Sequence, residues 1–88
     1  MRRNITFRIH VDSSTILAEK IKRADQELQK IDPKFKLVIN RSFCKSDGSK
    51  YVNLQIKYTP ETSTFNDIKI IAILKYYFNI IRLNVYSR

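Results

Sequence analysis

The chain has 88 residues, the size of one small domain, which excludes a two-domain organisation. Its 17 Lys and Arg residues outnumber 8 Asp and Glu residues, and the resulting net charge of +9 favours a polyanionic partner over an acidic small molecule. The single cysteine, Cys44, excludes an internal disulfide bond and a cysteine-cluster metal site. Because residues 4–11 alternate instead of forming an apolar run, we expect no signal peptide.

The first half of the chain predicts a strand, a helix and a second strand. Residues 4–11 alternate between apolar and polar side chains, which is typical of a half-buried strand. Residues 15–31 carry apolar side chains at spacings of three and four, which predicts one amphipathic helix. We expect Ser13 to cap this helix and Asp32-Pro33 to end it. Residues 35–43 alternate again, with inward Phe35, Leu37 and Ile39 and outward Lys36, Asn40 and Ser42.

The middle of the chain predicts a hairpin. Residues 45–49 form its loop, because Asp47-Gly48 readily adopts positive φ. Residues 51–58 alternate and predict the returning strand, which Pro60 ends.

The last third predicts a helix followed by a strand. The helix would be capped by Thr64 and run to about Phe78, with Asn79 as a left-handed C-cap. Residues 81–86 alternate and predict the final strand. Although residues 68–83 are very apolar, they are interrupted by polar side chains and fall short of the roughly 20 clean residues that a membrane span requires.

The predicted order is β-α-β-β-α-β, a two-layer α+β sandwich with a small, mainly antiparallel sheet and two helices on one face. The helices can cover only one side of such a sheet. The other side would collect cations, amides and aromatic rings without a carboxylate, from Arg8, His10, Lys36, Asn40, Tyr51, Asn53, Gln55, Lys57, Arg82, Asn84 and Tyr86.

Charge is distributed by element along this chain. The acids lie on the first helix and at turns, whereas every predicted strand carries Lys or Arg and no carboxylate. This pattern predicts a polyanion-binding surface, in which cations contact RNA phosphates and Tyr51 and Tyr86 stack on unpaired bases. The candidate RNA-binding residues are Arg2, Arg3, Arg8, Lys36, Lys45, Lys50, Lys57, Lys69, Lys75, Arg82 and Arg88.

Enzymatic chemistry has little support in the sequence. His10 is the only histidine and has no neighbouring ligand residue, so we expect neither a metal site nor a general base. Cys44 is interpreted as an inert thiol. Gly48 is the only glycine, so the sequence cannot form a glycine-rich phosphate-binding loop. We therefore expect a non-enzyme without a cofactor, a small-molecule substrate or a membrane partner.

Three segments resemble a known family. Residues 65–78, Phe-Asn-Asp-Ile-Lys-Ile-Ile-Ala-Ile-Leu-Lys-Tyr-Tyr-Phe, are similar to the last helix of the eukaryote-specific large-subunit ribosomal protein L-twenty-two family. Residues 6–11 resemble that family's first strand, and residues 81–86 its closing strand. Tyr76, Asn79 and Ile80 stand where the family has lysines, so only Lys75 carries over from its basic cluster.

The resemblance implies a reduced ribosomal protein of the cytosolic large subunit, a single RNA-binding domain over residues 1–88. Its partners would be ribosomal RNA and neighbouring ribosomal proteins, in the cytoplasm. Two alternatives stay open. One is another small RNA-binding module, such as a signal-recognition-particle Alu-type subunit, which residues 32–33 and 45–48 loosely resemble. The other is a basic protein-interaction domain such as a viral inhibitor.

Overall fold

The computed structural model of the protein describes residues 3–59 and 65–87. Six elements follow one another in the predicted β-α-β-β-α-β order, which is confirmed. They are β1 (Arg3–His10), α1 (Ser14–Ile31), β2 (Val38–Cys44), β3 (Lys50–Tyr58), α2 (Phe65–Tyr77) and β4 (Ile80–Ser87).

The four strands form one sheet in the order β2-β3-β1-β4, and all neighbouring strands are antiparallel. Each β-α-β crossover therefore skips one strand, which then lies between the two strands that the helix connects. This split arrangement is the ferredoxin-like fold. It places β1 and β3, the two most regular alternating segments, at the centre of the sheet.

The core lies between one face of the sheet and both helices. The inward side chains of β1 and β3, among them Ile5, Phe7 and Leu54, form one buried cluster with Leu28 of α1 and Leu74 of α2. Burying each such side chain contributes about 1.5–3 kcal/mol relative to leaving it exposed. Because both helices contribute to this single cluster, no described element lies over the opposite face of the sheet.

Both ends of α1 follow the predicted signals. The Ser13 hydroxyl accepts a hydrogen bond from the backbone N–H of Ile16 at 3.4 Å, and Asp32 is the C-cap residue before Pro33. In the hairpin loop, Gly48 has φ of 88°, as predicted for its position after Asp47. These local signals mark where α1 begins and ends and where the β2–β3 loop turns.

Three details differ from the predictions. Phe35 and Leu37 are buried as expected, but β2 begins only at Val38, which leaves Lys36 in the connection before the strand. Ile39 lies opposite Leu54 on the helix side, yet 52% of its surface stays exposed because β2 is an edge strand. Asn79 is not left-handed, since no non-glycine residue among the described ones has positive φ.

β3 ends at Tyr58, as predicted, whereas Pro60 and the Thr64 cap lie outside the described residues. The apolar segment 68–83 divides into the end of α2 and the start of β4, as predicted. Within residues 3–59 and 65–87, no helix combines the length and apolar character that crossing a bilayer requires.

A carboxylate joins the second helix to the sheet. Asp67, in the first turn of α2, is almost fully buried and accepts hydrogen bonds from the guanidinium of Arg3 and the hydroxyl of Tyr58. Its charge is also favoured by the positive end of the helix dipole. Burial raises the pKa of the Tyr58 phenol above its ordinary value of 10.0, and the charge of Arg3 partly offsets this.

Replacing Asp67 with alanine should destabilise the protein by about 2–4 kcal/mol, because a mostly buried guanidinium would lose its counter-charge. Urea unfolding measures this loss. The matched control is Asp12→Ala, whose side chain is 86% exposed and which should change stability by about 0.5 kcal/mol or less. Equal effects of the two substitutions would contradict a structural role for Asp67.

The raised pKa of Tyr58 makes a second prediction, for alkaline pH. Folding favours the protonated phenol, so this contribution is complete below pH 10.0 and lost as pH rises through the folded-state pKa. The free energy of unfolding should therefore fall more steeply above about pH 10 in the wild type than in Tyr58→Phe. Parallel urea titrations between about pH 8 and pH 11 measure the difference, and identical slopes would be evidence against it.

Candidate nucleic-acid interface

The face of the sheet opposite the two helices is the open face. Strand pairing arranges its side chains in rows that cross the sheet. One row, called the arginine row, runs from the β2 edge to the β4 edge through Arg41, Asn53, Arg8 and Arg82, each opposite the next. Three guanidinium groups and one amide thus lie side by side across all four strands.

A second row lies next to the arginine row and consists of rings. Phe43 is opposite Tyr51, and Tyr51 is opposite His10. The Phe43 and Tyr51 rings stack with centroids 5.7 Å apart, and the His10 ring meets Tyr51 edge-on at 5.3 Å. This ring row lies directly beside the cations of the arginine row.

Amides and hydroxyls occupy the other side of the arginine row. Gln55, Thr6 and Asn84 lie opposite one another, and the Tyr86 hydroxyl is 2.9 Å from the hydroxyl of Thr6. Together with part of the arginine row they border a shallow polar groove. Its lining includes Thr6, Arg8, Asn40, Asn53, Arg82, Asn84 and Tyr86.

Neutral groups position the arginines. The Arg8 Nε–H donates to Asn53 Oδ1 at 3.0 Å, and the Arg8 guanidinium carbon lies 4.9 Å from the centre of the Phe43 ring. The Arg41 guanidinium carbon lies 5.5 Å from the same ring centre. Within residues 3–59 and 65–87, no carboxylate forms an ion pair with Arg8, Arg41 or Arg82. Arg8 and Arg41 are therefore oriented by neutral groups, and the charge of all three arginines has no acidic partner among the described residues.

The absence of carboxylates from the open face needs one correction. Asp12 follows β1, and its carboxylate oxygen lies 3.2 Å from His10 Nδ1. The acid therefore reaches one end of the ring row, although it belongs to the loop and not to a strand. A period-two pattern could not show this, because Asp12 lies beyond the alternating residues.

The candidate cations do not share one surface. Arg8, Lys57 and Arg82 belong to the open face, and the Lys45 ammonium lies 4.6 Å from the Tyr51 ring centre. The remaining described candidates lie elsewhere. Arg3 is paired with Asp67 on the helix side of the sheet, and Lys36 precedes β2. Lys50, opposite Cys44, alternates with the inward residues of β3 and so lies on the helix side. Lys69 and Lys75 are exposed on α2.

The prediction for Arg3 as a terminal phosphate contact does not fit this geometry, since its guanidinium is already used by an acid inside the fold. The predictions for Arg2 and Arg88 fall outside the described residues. Lys36 does not reach the sheet as a strand residue, because the chain enters β2 two positions later.

Sequence reasoning missed Arg41 and Phe43. The β2–β3 register shifts between Ile39 and Arg41, so Asn40 is an extra residue, as in a β-bulge. The bulge turns Arg41 and Phe43 to the open face, where a regular strand would point them inward with Ile39, and it turns Ser42 away from that face. The sequence signal of an irregular strand is Val38, an apolar exception at an outward position of the alternation, which makes Leu37-Val38-Ile39 a continuous apolar run.

No group of three metal-ligating side chains exists in the described part of the chain. Cys44 is a free, exposed thiol on the edge strand. The open face offers hydrogen-bond donors, positive charge and aromatic side chains.

Neither a comparison with protein-family models nor one with curated proteins finds a match. Two designed proteins of known structure are similar to this chain. The de novo designed protein Foldit4 has a TM-score of 0.65 and 18% identity, covering 100% of this chain and 99% of that chain. The de novo designed protein Ferredog-Diesel has a TM-score of 0.59 and 14% identity, covering 99% of this chain and 85% of that chain. At such identities the likeness shows the shared fold alone, and it confirms the predicted class.

Proposed function

We propose that this protein is a non-catalytic RNA-binding protein that uses the open face of its sheet. The observation that supports the proposal most directly is the arginine row, in which a ring and an amide, and no acid, orient the guanidinium groups of Arg8 and Arg41. Such groups donate hydrogen bonds in a planar fork that matches phosphate oxygens. Phosphate contacts would supply most of the affinity.

The amides and rings on the open face favour RNA over a polyanion that has no bases. Amide side chains such as Asn84 can both donate to and accept from base edges, and aromatic rings such as Tyr51 can stack on unpaired bases. An anionic membrane would need the cations alone. The combination of cations, amides and rings within one face matches the three kinds of contact that RNA offers.

A narrower proposal is that the RNA is ribosomal RNA of the cytosolic large subunit, with neighbouring ribosomal proteins as further partners. Its support is the resemblance of residues 6–11, 65–78 and 81–86 to the L-twenty-two family. In that setting, Lys75 on α2 would add a second contact with RNA, on the side of the sheet opposite the arginine row. The open face and α2 would then bind different segments of the folded RNA.

The broader proposal predicts strongly salt-dependent binding. With four to seven phosphate contacts, the logarithm of the association constant should fall linearly with the logarithm of salt concentration, at about −0.7 to −0.9 per contact. Arg8→Gln and Arg82→Gln should each reduce this slope by about one contact. Fluorescence anisotropy with a labelled RNA, repeated over a range of salt concentrations, measures both quantities.

Lys20→Gln and Lys22→Gln are the matched controls, because each removes the same charge from an exposed position on α1. They should leave the slope close to that of the wild type. Binding that does not respond to salt, or a complete lack of binding at low salt, would reject the proposal. Equal losses from α1 and from the open face would reject the assignment to the open face.

The ribosomal proposal predicts that the native protein sediments with large ribosomal subunits in a sucrose gradient. Ribonuclease treatment before centrifugation should move it to the top of the gradient. Migration at the top without ribonuclease would contradict the ribosomal assignment while leaving RNA binding itself intact.

A protein partner is the second candidate. Val38 and Ile39 on the free edge strand β2 are each about half exposed, and apolar residues at a sheet edge suit pairing with another chain. This arrangement would fit a heterodimeric RNA-binding module or an inhibitor of an acidic protein. A native complex that survives ribonuclease intact would favour this candidate over the first.

A further inference from the structure

We propose that the arginine row is a phosphate-binding site assembled before its ligand arrives, which holds consecutive phosphates of a single strand that crosses the sheet. The inference deepens the proposed function, because it assigns the substrate class as an extended single strand and gives its path. It rests on the placement of like charges on neighbouring strands.

Arg8 and Arg82 lie directly opposite each other on β1 and β4. Like charges in directly opposed cross-strand positions destabilise a sheet, because their Cβ atoms are only about 4.5–5.5 Å apart. Arg41 adds a third guanidinium against the Phe43 ring that Arg8 also contacts. A purely structural row would be expected to include an acid, and none pairs with these three within the described residues.

The row is also pre-oriented. Asn53 accepts from the Nε–H of Arg8, and no hydrogen bond to a described residue uses the terminal nitrogens of that guanidinium. The Phe43 ring supports Arg8 and Arg41 from below without neutralising them. Less conformational entropy is lost on binding when hydrogen-bond donors are already in place. A bound phosphate also relieves the repulsion between the arginines, and this relief adds to the free energy of binding.

The length of the row selects the ligand. Neighbouring strands are about 4.8 Å apart, so Arg41 and Arg82 are separated by roughly 14 Å across the sheet. The guanidinium groups of Arg8 and Arg41 share the Phe43 ring, whereas Arg82 belongs to the opposite edge strand, so a single phosphate group does not reach all three. A chain of phosphates lying across the strands can contact all three, with its bases directed to the ring row on one side and to the groove with Asn84 on the other.

The proposal predicts opposite effects on stability and binding. Arg82→Gln should raise the thermal midpoint of the free protein by about 1–5 °C at low salt, because it relieves the repulsion with Arg8. The same variant should bind a short oligouridylate roughly tenfold more weakly, since one charge-assisted contact is lost. Thermal unfolding and fluorescence anisotropy on the same samples measure the two quantities.

Two further variants separate fork geometry from charge. Arg82→Lys keeps the charge, so it should keep the low thermal midpoint while losing part of the affinity. Lys57→Gln removes a cation of the open face outside the row, so it should weaken binding less and should not raise the midpoint. If Arg82→Gln and Lys57→Gln behave alike in both measurements, the row is not a dedicated site and the proposal is overturned.

The ligand class is tested with a duplex of matched length and with sodium tripolyphosphate. Tighter binding of the single strand than of the duplex is expected, and a preference for the duplex would overturn the path across the sheet. If RNA binds but the arginine-row variants bind it as the Lys57→Gln control does, RNA binding is supported and the arginine row is rejected as its site. If the arginine-row variants weaken tripolyphosphate binding but no RNA binds, the arginine row is supported as a phosphate site and the proposed RNA-binding function is rejected.

Discussion

One-sided burial of the sheet governs this molecule. The central strands β1 and β3 alternate strictly, so packing Ile5, Phe7 and Leu54 against two helices forces Arg8 and Asn53 to the other side. Two helices cannot cover both faces of a four-stranded sheet. The core and the open face are therefore two results of the same alternation, and a change that moves one strand by one residue would damage both.

The position of the acids completes this division. Carboxylates lie on helices and loops, and Asp67, which is buried, takes Arg3 into the fold. That pair connects the start of β1 to α2, while the arginines of the open face have no such partner among the described residues. Two arginines of the same strand, Arg3 and Arg8, thus have opposite roles, one in holding layers together and one in facing solvent.

Much of the fold follows from local patterns. The alternation of residues 4–11 and 51–58, the Ser13 cap and the turn at Gly48 depend on neighbours in sequence, and each lies where predicted. The Arg3–Asp67 pair joins residues 64 positions apart, which no local pattern reveals. The bulge at Asn40 also escaped prediction, because a single extra residue reverses the side on which Arg41 and Phe43 lie without changing composition.

The arginine row has a consequence for self-association. Both edges of the sheet, β2 and β4, are free to pair with another chain, and exposed apolar residues such as Ile39 and Val85 lie on them. Because Arg41 and Arg82 end the row at these edges, two copies meeting edge to edge would bring like charges together. We therefore expect this repulsion to oppose edge-to-edge pairing of free copies. If the open face binds RNA as proposed, the bound phosphates would neutralise these arginines and remove that repulsion, so copies would be expected to cluster along a long strand.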